Sequence, residues 1–381
     1  MSFLRTVSTR RLLILLAAVV AVAARGGGPT PPAKPLDRAI HDALAAPEPA
    51  GITARVKFTN KLFPSGALLG NAGSALMSGG SGRLWLTNDG RGRIELQSDA
   101  GDAQIVWNKT SVSVYDASSN TVYRAELGGK SGSSDTNEKS AAPALSEIDT
   151  FLSKLGAHAS LSAARPTEIA GRPAYSVSVS PKHDGGLLGS AELAWDAERG
   201  VPLRIGIYAQ GASAPVLELI VTQISYGSVP ASDVEINPPA GAKVVDLGGG
   251  SQSHEPSSGK KAPPVTGLAA VQAAAGFPVT APDTLVGLPR QDVRLVGGKT
   301  VLVVYGHGLG ATLVVERKAE SGGNTSGALS SLPTVSLDGI TAHELATQLG
   351  TVLTWQRGGT AFVLAGSQPP AAAEAAARQL K

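Results

Sequence analysis

Two stretches of the chain, Gly82–Leu127 and Gly171–Tyr226, divide into short apolar-rich runs separated by turn sequences. Such runs read as β-strands. A sheet with one wet face should alternate apolar and polar residues. Arg91–Ser98 alternates through Ile94 and Leu96, and Arg172–Ser180 through Tyr175, Val177 and Val179. Other runs do not. Leu84-Trp85-Leu86 and Ile105-Val106-Trp107 are unbroken, and Leu217, Leu219, Ile220 and Val221 follow closely. Those strands need cover on both faces. The chain is therefore confined to a β-rich fold whose sheet curls on itself or keeps apolar surface for another molecule.

The first block reads as strands at Gly82–Thr87, Arg91–Ser98, Asp102–Trp107, Ser111–Asp116 and Thr121–Glu126, after an earlier strand at Ile52–Phe58. Connections such as Asn88-Asp89-Gly90 and Asp99-Ala100-Gly101 are short enough for an antiparallel meander. The second block reads as Ser160–Ala170, Arg172–Ser180, Gly189–Asp196, Pro202–Gln210 and Val216–Ser225. Helical spacing predicts two helices. Leu36–Ala46 puts Leu36, Ile40, Ala43 and Leu44 on one face, and Ala144–Leu155 does so with Leu145, Ile148, Leu152 and Leu155. Two short helices cannot cover about ten strands spaced roughly 4.8 Å apart. Lys61–Ser81 is a Gly/Leu/Ser-rich insertion that reads either as a surface loop leaning on the domain or as a lid over an apolar cavity.

The low-complexity segment 247–264 predicts a linker, so 36–246 and 265–381 are expected to be separate domains. The latter reads as a small α+β unit. Its expected helices are Gly267–Ala275 and Ala371–Leu380. Its expected strands are Asp292–Val296, Thr300–Tyr305, Ala311–Arg317, Thr334–Thr347, Val352–Arg357 and Thr360–Ala365.

At the N-terminus, Arg5, Arg10 and Arg11 precede the apolar run Leu12–Ala24, and Ala21 and Ala23 suit a cleavage site. Residues 1–24 thus read as a secretory signal peptide, with an uncleaved N-terminal anchor as the alternative. The chain has no Cys, so it can carry neither disulfides, thiolate metal sites nor an acylated cysteine. A net charge of +3 over 381 residues argues against a nucleic-acid binder. A pI near 9.0 permits weak attraction to anionic membrane surfaces.

The order of several sequence features resembles a known superfamily. Gly-Arg-Leu-Trp-Leu at 82–86 is followed by Arg93-Ile94-Glu95-Leu96 and by Val112-Ser113-Val114-Tyr115-Asp116. Later come Gly171-Arg172-Pro173-Ala174-Tyr175-Ser176-Val177-Ser178-Val179-Ser180-Pro181, Gly200-Val201-Pro202, Tyr226-Gly227 and Pro238–Ala242. Together these resemble the LolA-like lipoprotein carriers and the related envelope-stress regulators of the RseB/MucB type. The resemblance spans residues 36–245. It implies an α+β fold: a curved, unclosed antiparallel β-barrel with a helical lid over a cavity for acyl chains. Thr354-Trp355 and the final Ala-rich helix resemble a small C-terminal domain of some Gram-positive envelope proteins. The cavity is expected to involve Trp85, Ile94, Leu96, Trp107, Val177, Val179, Trp195, Ile205 and Leu219. Leu145, Ile148 and Leu152 are expected in the lid. Tryptophans on strands are more often core packing than cavity lining, so Trp85, Trp107 and Trp195 read first as core.

Catalytic motifs fail on inspection. His343-Glu344-Leu345-Ala346-Thr347 begins like a zinc-protease helix but has Thr347 where the second His is required. Gly306-His307-Gly308-Leu309-Gly310 leads into an expected strand, whereas a phosphate loop leads into a helix, so a hairpin turn is expected. There is no Gly-x-Ser-x-Gly, and the Ser-x-x-Lys spacing at Ser257–Lys260 falls in the linker. His41, His158, His183 and His254 are scattered, and Asp184 and Asp196 sit at turns. No cofactor, metal or enzymatic activity is expected. The function classes left are a secreted carrier for lipid or lipoprotein acyl chains and a sensor that binds a membrane-bound, anti-sigma-type envelope protein.

Overall fold

A computed structural model describes residues 30–62, 75–127, 143–157, 159–182, 186–235, 239–246, 265–319 and 332–381. The signal segment 1–24, the linker 247–264 with Ser257–Lys260, residues 63–74 of the insertion, and His158, His183, Asp184 and His254 lie outside these residues.

Helix α1 (Leu36–Ala45) starts after Pro35 and ends before Pro47, where proline removes the donor the next turn would need. It leads into β1 (Gly51–Asn60) and a four-residue helix α2 (Ala75–Ser78). A meander follows through β2 (Gly80–Thr87), β3 (Gly92–Gln97), β4 (Ala103–Trp107), β5 (Ser111–Asp116) and β6 (Thr121–Glu126). Helix α3 (Leu145–Gly156) precedes the second block. Its strands are β7 (Ala159–Leu161), β8 (Arg165–Ile169), β9 (Arg172–Pro181), β10 (Leu188–Asp196), β11 (Pro202–Ala209) and β12 (Leu217–Tyr226). A 3₁₀ turn at Ala231–Val234 then carries the chain to β13 (Lys243–Asp246), which pairs parallel with β6.

The order is β13-β6-β5-β4-β3-β2-β1-β12-β11-β10-β9-β7, with β8 also on β9. The sheet is large, curved and unclosed, ending at β13 on one side and at β7 and β8 on the other. The two blocks join through the β1–β12 pair, the first strand with the last long one. The segment expected as a single strand at Ser160–Ala170 is two: at Ser162 the N–H still donates to the Ser178 carbonyl, but its Oγ accepts the Ser178 N–H at 2.9 Å.

A second sheet has its own core. It comprises β14 (Val265–Thr266), β15 (Thr284–Leu285), β16 (Leu288–Val296), β17 (Thr300–Tyr305), β18 (Thr312–Lys318), β19 (Thr334–Leu337), β20 (Ile340–Thr347), β21 (Gly350–Arg357) and β22 (Thr360–Gly366). Helices α4 (Leu268–Ala274) and α5 (Pro370–Gln379) contribute Val271, Ala373, Ala376 and Ala377 to that core. The expected strand Thr334–Thr347 is a hairpin broken at Asp338-Gly339, where Asp338 adopts φ 51°. Within the core, Glu316 is fully buried between its cross-strand partners Val301 and Phe362. Its Oε2 accepts the Thr280 N–H at 2.9 Å, and its Oε1 has no partner among the described residues. Burial pushes its pKa up to about 7.

Candidate functional site

The site is built from register. Along β1, buried Ile52, Ala54 and Val56 alternate with exposed Thr53, Arg55 and Lys57. On the buried side, Ala54 pairs with Leu84, Leu84 with Ile94 and Ile94 with Ile105. Val56 pairs with Gly82 and Gly82 with Leu96, while Gly92 pairs with Trp107. Gly92 is required there, since a Cβ would stand 2.1 Å from the Trp107 ring. Ile94, Leu96 and Trp107 are therefore closed into the core of the first block.

The same face continues across the second block as two apolar rows. Phe58 pairs with Leu219, Leu219 with Ile205, Ile205 with Leu193 and Leu193 with Val177. Two residues further along each strand, Leu217 pairs with Ile207, Ile207 with Ala191, Ala191 with Val179 and Val179 with Leu161. No member of either row is charged. Leu219 and Val177 are buried, and the other eight are only half-buried. Each row crosses five strands and spans about 19 Å, four gaps of roughly 4.8 Å.

The opposite face of these strands is polar. Ser178, Glu192, Gly206, Glu218 and Thr59 form one of its rows. Arg204 is held between Glu192 at 2.8 Å and Glu218 at 2.6 Å, and Tyr208 Oη accepts from its Nη2 at 2.6 Å. Burial alone would lower the Arg204 pKa, but Glu218 and Glu192 outweigh it and hold it above its ordinary value. One face of this block is thus apolar and the other largely polar, with buried Ile220 and Ala194 on either side of Arg204 in its row.

At the Val177 end, α1 covers the apolar face. Ala39, Leu36, Ile40 and Ala43 pack with Tyr175, Val177, Leu193 and Trp195. The Tyr175 and Trp195 rings lie 6.2 Å apart, and Tyr175 Oη donates to the Pro32 carbonyl at 2.6 Å. Helix α3 packs on α1 and β7. Of the expected lid residues, Ile148 is fully buried and Leu145 and Leu152 are half-buried. The described end of the insertion leans on the first block: Ala75 is fully buried there, and Leu76 packs beside it.

Register brings eight of the nine expected cavity residues to one face. Trp85 is on the other. It pairs with Arg93, whose guanidinium sits 5.7 Å from the indole centroid, and Arg93 Nη1 donates to the Glu235 carbonyl at 3.2 Å. The turn Ala231–Val234 packs over β2 and β3 beside it. Sequence reasoning missed Phe58, Leu161, Ala191, Leu193, Ile207 and Leu217. Alternation within each strand was the available signal, and only cross-strand register assembles them.

Asp196 also carries more than turn chemistry. It is fully buried and accepts from Tyr226 Oη at 2.7 Å, Arg172 Nε at 2.9 Å and the N–H groups of Glu198 and Arg199 at 2.8 and 3.0 Å. Burial opposes its charge, but these four donors outweigh it and hold its pKa below 3.8. Every donor anchors chain around β10, so the group ties strands together. His343 lies on strand β20, whereas paired zinc imidazoles of that motif need a helix. Gly306–Gly310 connects β17 to β18 as expected for a hairpin. Among the described residues no cluster of His, Asp and Glu could hold a metal, and no helix is long and apolar enough to cross a membrane.

No protein-family model matches the sequence, and no curated protein matches it. Similar solved structures exist. The structure of MucB in complex with MucA(peri) is similar at TM-score 0.42 and 16% identity, covering 90% of this chain and 96% of that one. The Pseudomonas aeruginosa MucA/MucB complex gives TM-score 0.41 and 16% identity, covering 89% of this chain and 95% of that one. A LolA-superfamily protein from Nitrosomonas europaea gives TM-score 0.23 and 9% identity, covering 54% of this chain and 99% of its own.

Proposed function

We propose that this is a non-enzymatic cell-envelope protein that binds the acyl chains of a lipid or lipoprotein along the two apolar rows that cross β1, β12, β11, β10, β9 and β7. The observation that carries the reading is that ten uncharged, apolar residues form a continuous face and eight of them keep solvent exposure. Each methylene laid on such a face contributes about 0.8 kcal/mol when fully buried. Roughly ten methylenes are then enough to offset much of the cost of leaving a bilayer. The domain limits 36–246 and 265–381, joined by 247–264, and export directed by residues 1–24 belong to the same proposal. Helices α1 and α3 act as the lid.

The test is native mass spectrometry of the protein purified from its own host, followed by organic extraction. A stoichiometric lipid or acylated species is expected. A bare mass, with no uptake of a fluorescent fatty acid, would overturn the reading.

A second reading is an envelope-stress sensor whose second sheet contacts a membrane-bound, anti-sigma-type protein. It is favoured by the outer face of that sheet. There Leu302, Val315 and Val363 form one cross-strand row and Val304, Leu313, Ala365, Val352 and Leu345 the next, all of them half-buried or exposed. Leu313→Asp would abolish partner capture and leave fatty-acid uptake intact if this reading holds.

A further inference from the structure

The face opposite the apolar rows carries a cluster that the acyl-binding reading does not use. Arg55 on β1 is directly opposite Arg83 on β2, and Lys57 is one step further along the same face, opposite Ser81. All three side chains are exposed. Residues directly opposite in an antiparallel pair have Cβ atoms about 5 Å apart, and like charges there are destabilising. A neighbouring acid would normally relieve that repulsion. Two acids are near in register, and both are engaged elsewhere. Glu95, the other cross-strand partner of Arg83, bonds Arg93. Glu218, on the strand beside Lys57, bonds Arg204 through both Nε and Nη2. Arg55, Lys57 and Arg83 make no ion pair among the described residues.

The setting narrows the partner. β1 and β2 are interior strands with neighbours on both sides, so no free edge is offered to an extended peptide. Of the flanking positions, Gln97, Ser81 and Gln223 are uncharged polar residues, Ile220 opposite Lys57 is buried, and the turn Ala231–Val234 packs over β2 and β3 on the side of Trp85. What remains is a shallow pleated face with three cations projecting to the same side. That matches a planar array of phosphates better than a threaded chain.

We propose that Arg55, Lys57 and Arg83 form a docking surface for an anionic lipid membrane. The acyl-binding rows face the other way, so the two proposals stand or fall separately. Each cation brought to such a surface strengthens partitioning roughly fivefold, so three contribute on the order of 100-fold at low salt.

The test is co-sedimentation of the full chain with vesicles of phosphatidylcholine alone and of phosphatidylcholine with about one third phosphatidylglycerol. The N-terminal apolar run acts on both vesicle types, and Arg5, Arg10 and Arg11 favour phosphatidylglycerol equally in wild type and variants, so the quantity read is the part of the phosphatidylglycerol gain that the variants change. We expect a gain that falls steeply in about 0.5 M salt. That part should be lost in the triple variant Arg55→Gln, Lys57→Gln, Arg83→Gln and kept in Arg55→Lys, Arg83→Lys. The far-ultraviolet circular dichroism and thermal midpoint should be unchanged in both variants, which reports that they are folded whether or not the chain takes up fatty acid. If the triple variant does not fold, Arg55→Gln alone should reduce the gain about fivefold. No gain in the wild type, or the same gain in the glutamine variants, overturns the proposal. Binding of polyglutamate through these three residues without binding to the vesicles also overturns it, and assigns the patch to an acidic polypeptide.

Discussion

Replacing Glu316 with Gln should stabilise the second sheet at pH 8 and leave it nearly unchanged at pH 4.5. The carboxyl is fully buried, with one oxygen bonded to the Thr280 N–H and the other unpaired. In the unfolded chain it titrates near 4.5, and in the fold burial raises this to about 7. Below the first value both states are protonated and the group costs nothing extra. Between the two values the native state holds a proton that the unfolded state has released, so stability falls as pH rises. Above about 7 the whole difference is lost, which at about 1.4 kcal/mol per pH unit amounts to about 3 kcal/mol. Gln keeps the acceptor for Thr280 and cannot ionise. Hydrogen exchange of peptides from β17, β18 and β22, compared between wild type and Glu316→Gln at each pH, reads the effect locally. Protection in the variant should exceed wild type by about two orders of magnitude at pH 8 and converge with it towards pH 4.5. A ratio that stays constant from pH 4.5 to 8 would refute the reasoning, because it would mean that Glu316 reaches solvent or another partner.

Ile205→Asp places a charge in the middle of the first apolar row and should reduce fatty-acid uptake at least tenfold, whereas Trp85→Ala on the opposite face should leave uptake unchanged; equal losses would contradict the register argument. Asp196→Asn should cost about 3 kcal/mol, as expected when one partner of a buried ion pair is removed. Because its native pKa lies below 3.8, that contribution is present above this value and lost as pH falls through the native pKa, so acid-unfolding curves of variant and wild type should converge at low pH. Gly186→Ala puts a Cβ where Gly186 stands at φ 58° and the Ser367 carbonyl oxygen would be 1.6 Å away. Amide exchange at Leu187 and Leu188, which donate to Ser367, should speed up by at least tenfold, and unchanged exchange would show that this contact is not formed in solution.

The succession of strands along the chain and the meander of the first block were legible because each turn carries its own chemistry. Ser111–Asp116, Thr121–Glu126 and Thr300–Tyr305 have the bounds their alternation predicts. Two kinds of feature were not legible, and a third was overlooked. β13 pairs in parallel with β6 across more than a hundred residues, and such a pairing leaves no local periodicity. The hairpin at Asp338-Gly339 was overlooked: Asp-Gly between apolar runs is itself a hairpin signal, and the alternation of Val335 and Leu337 loses its parity at Ile340. The face of Trp85 could not be read from Leu84-Trp85-Leu86, since three apolar neighbours erase the parity that alternation supplies. What turns Trp85 outward is register with Arg93, and what covers it is a turn 146 residues further along the chain. Of the expected cavity residues only Val177, Val179, Ile205 and Leu219 fall in the half-exposed rows, which emerged only when six strands were paired.

Those rows also explain where the second sheet makes contact. Lys61 follows β1 and bonds Val216, just before Leu217 of the second row, while its carbonyl accepts from Gln348 Nε2 at 2.9 Å. At the start of β10, the N–H groups of Leu187 and Leu188 reach Ser367 beyond β22, and Ser367 Oγ in turn donates to the Leu349 carbonyl at 2.8 Å. The strand ends that finish the apolar face are thus the ends that hold the second sheet. An acyl chain lying along the Leu217–Leu161 row would be next to these bonds, whereas one along the Phe58–Val177 row would be a further two residues away. Crosslinking a photoreactive fatty acid therefore separates the rows: label on residues 348–367 places the chain in the outer row, and label confined to α1 places it in the inner one.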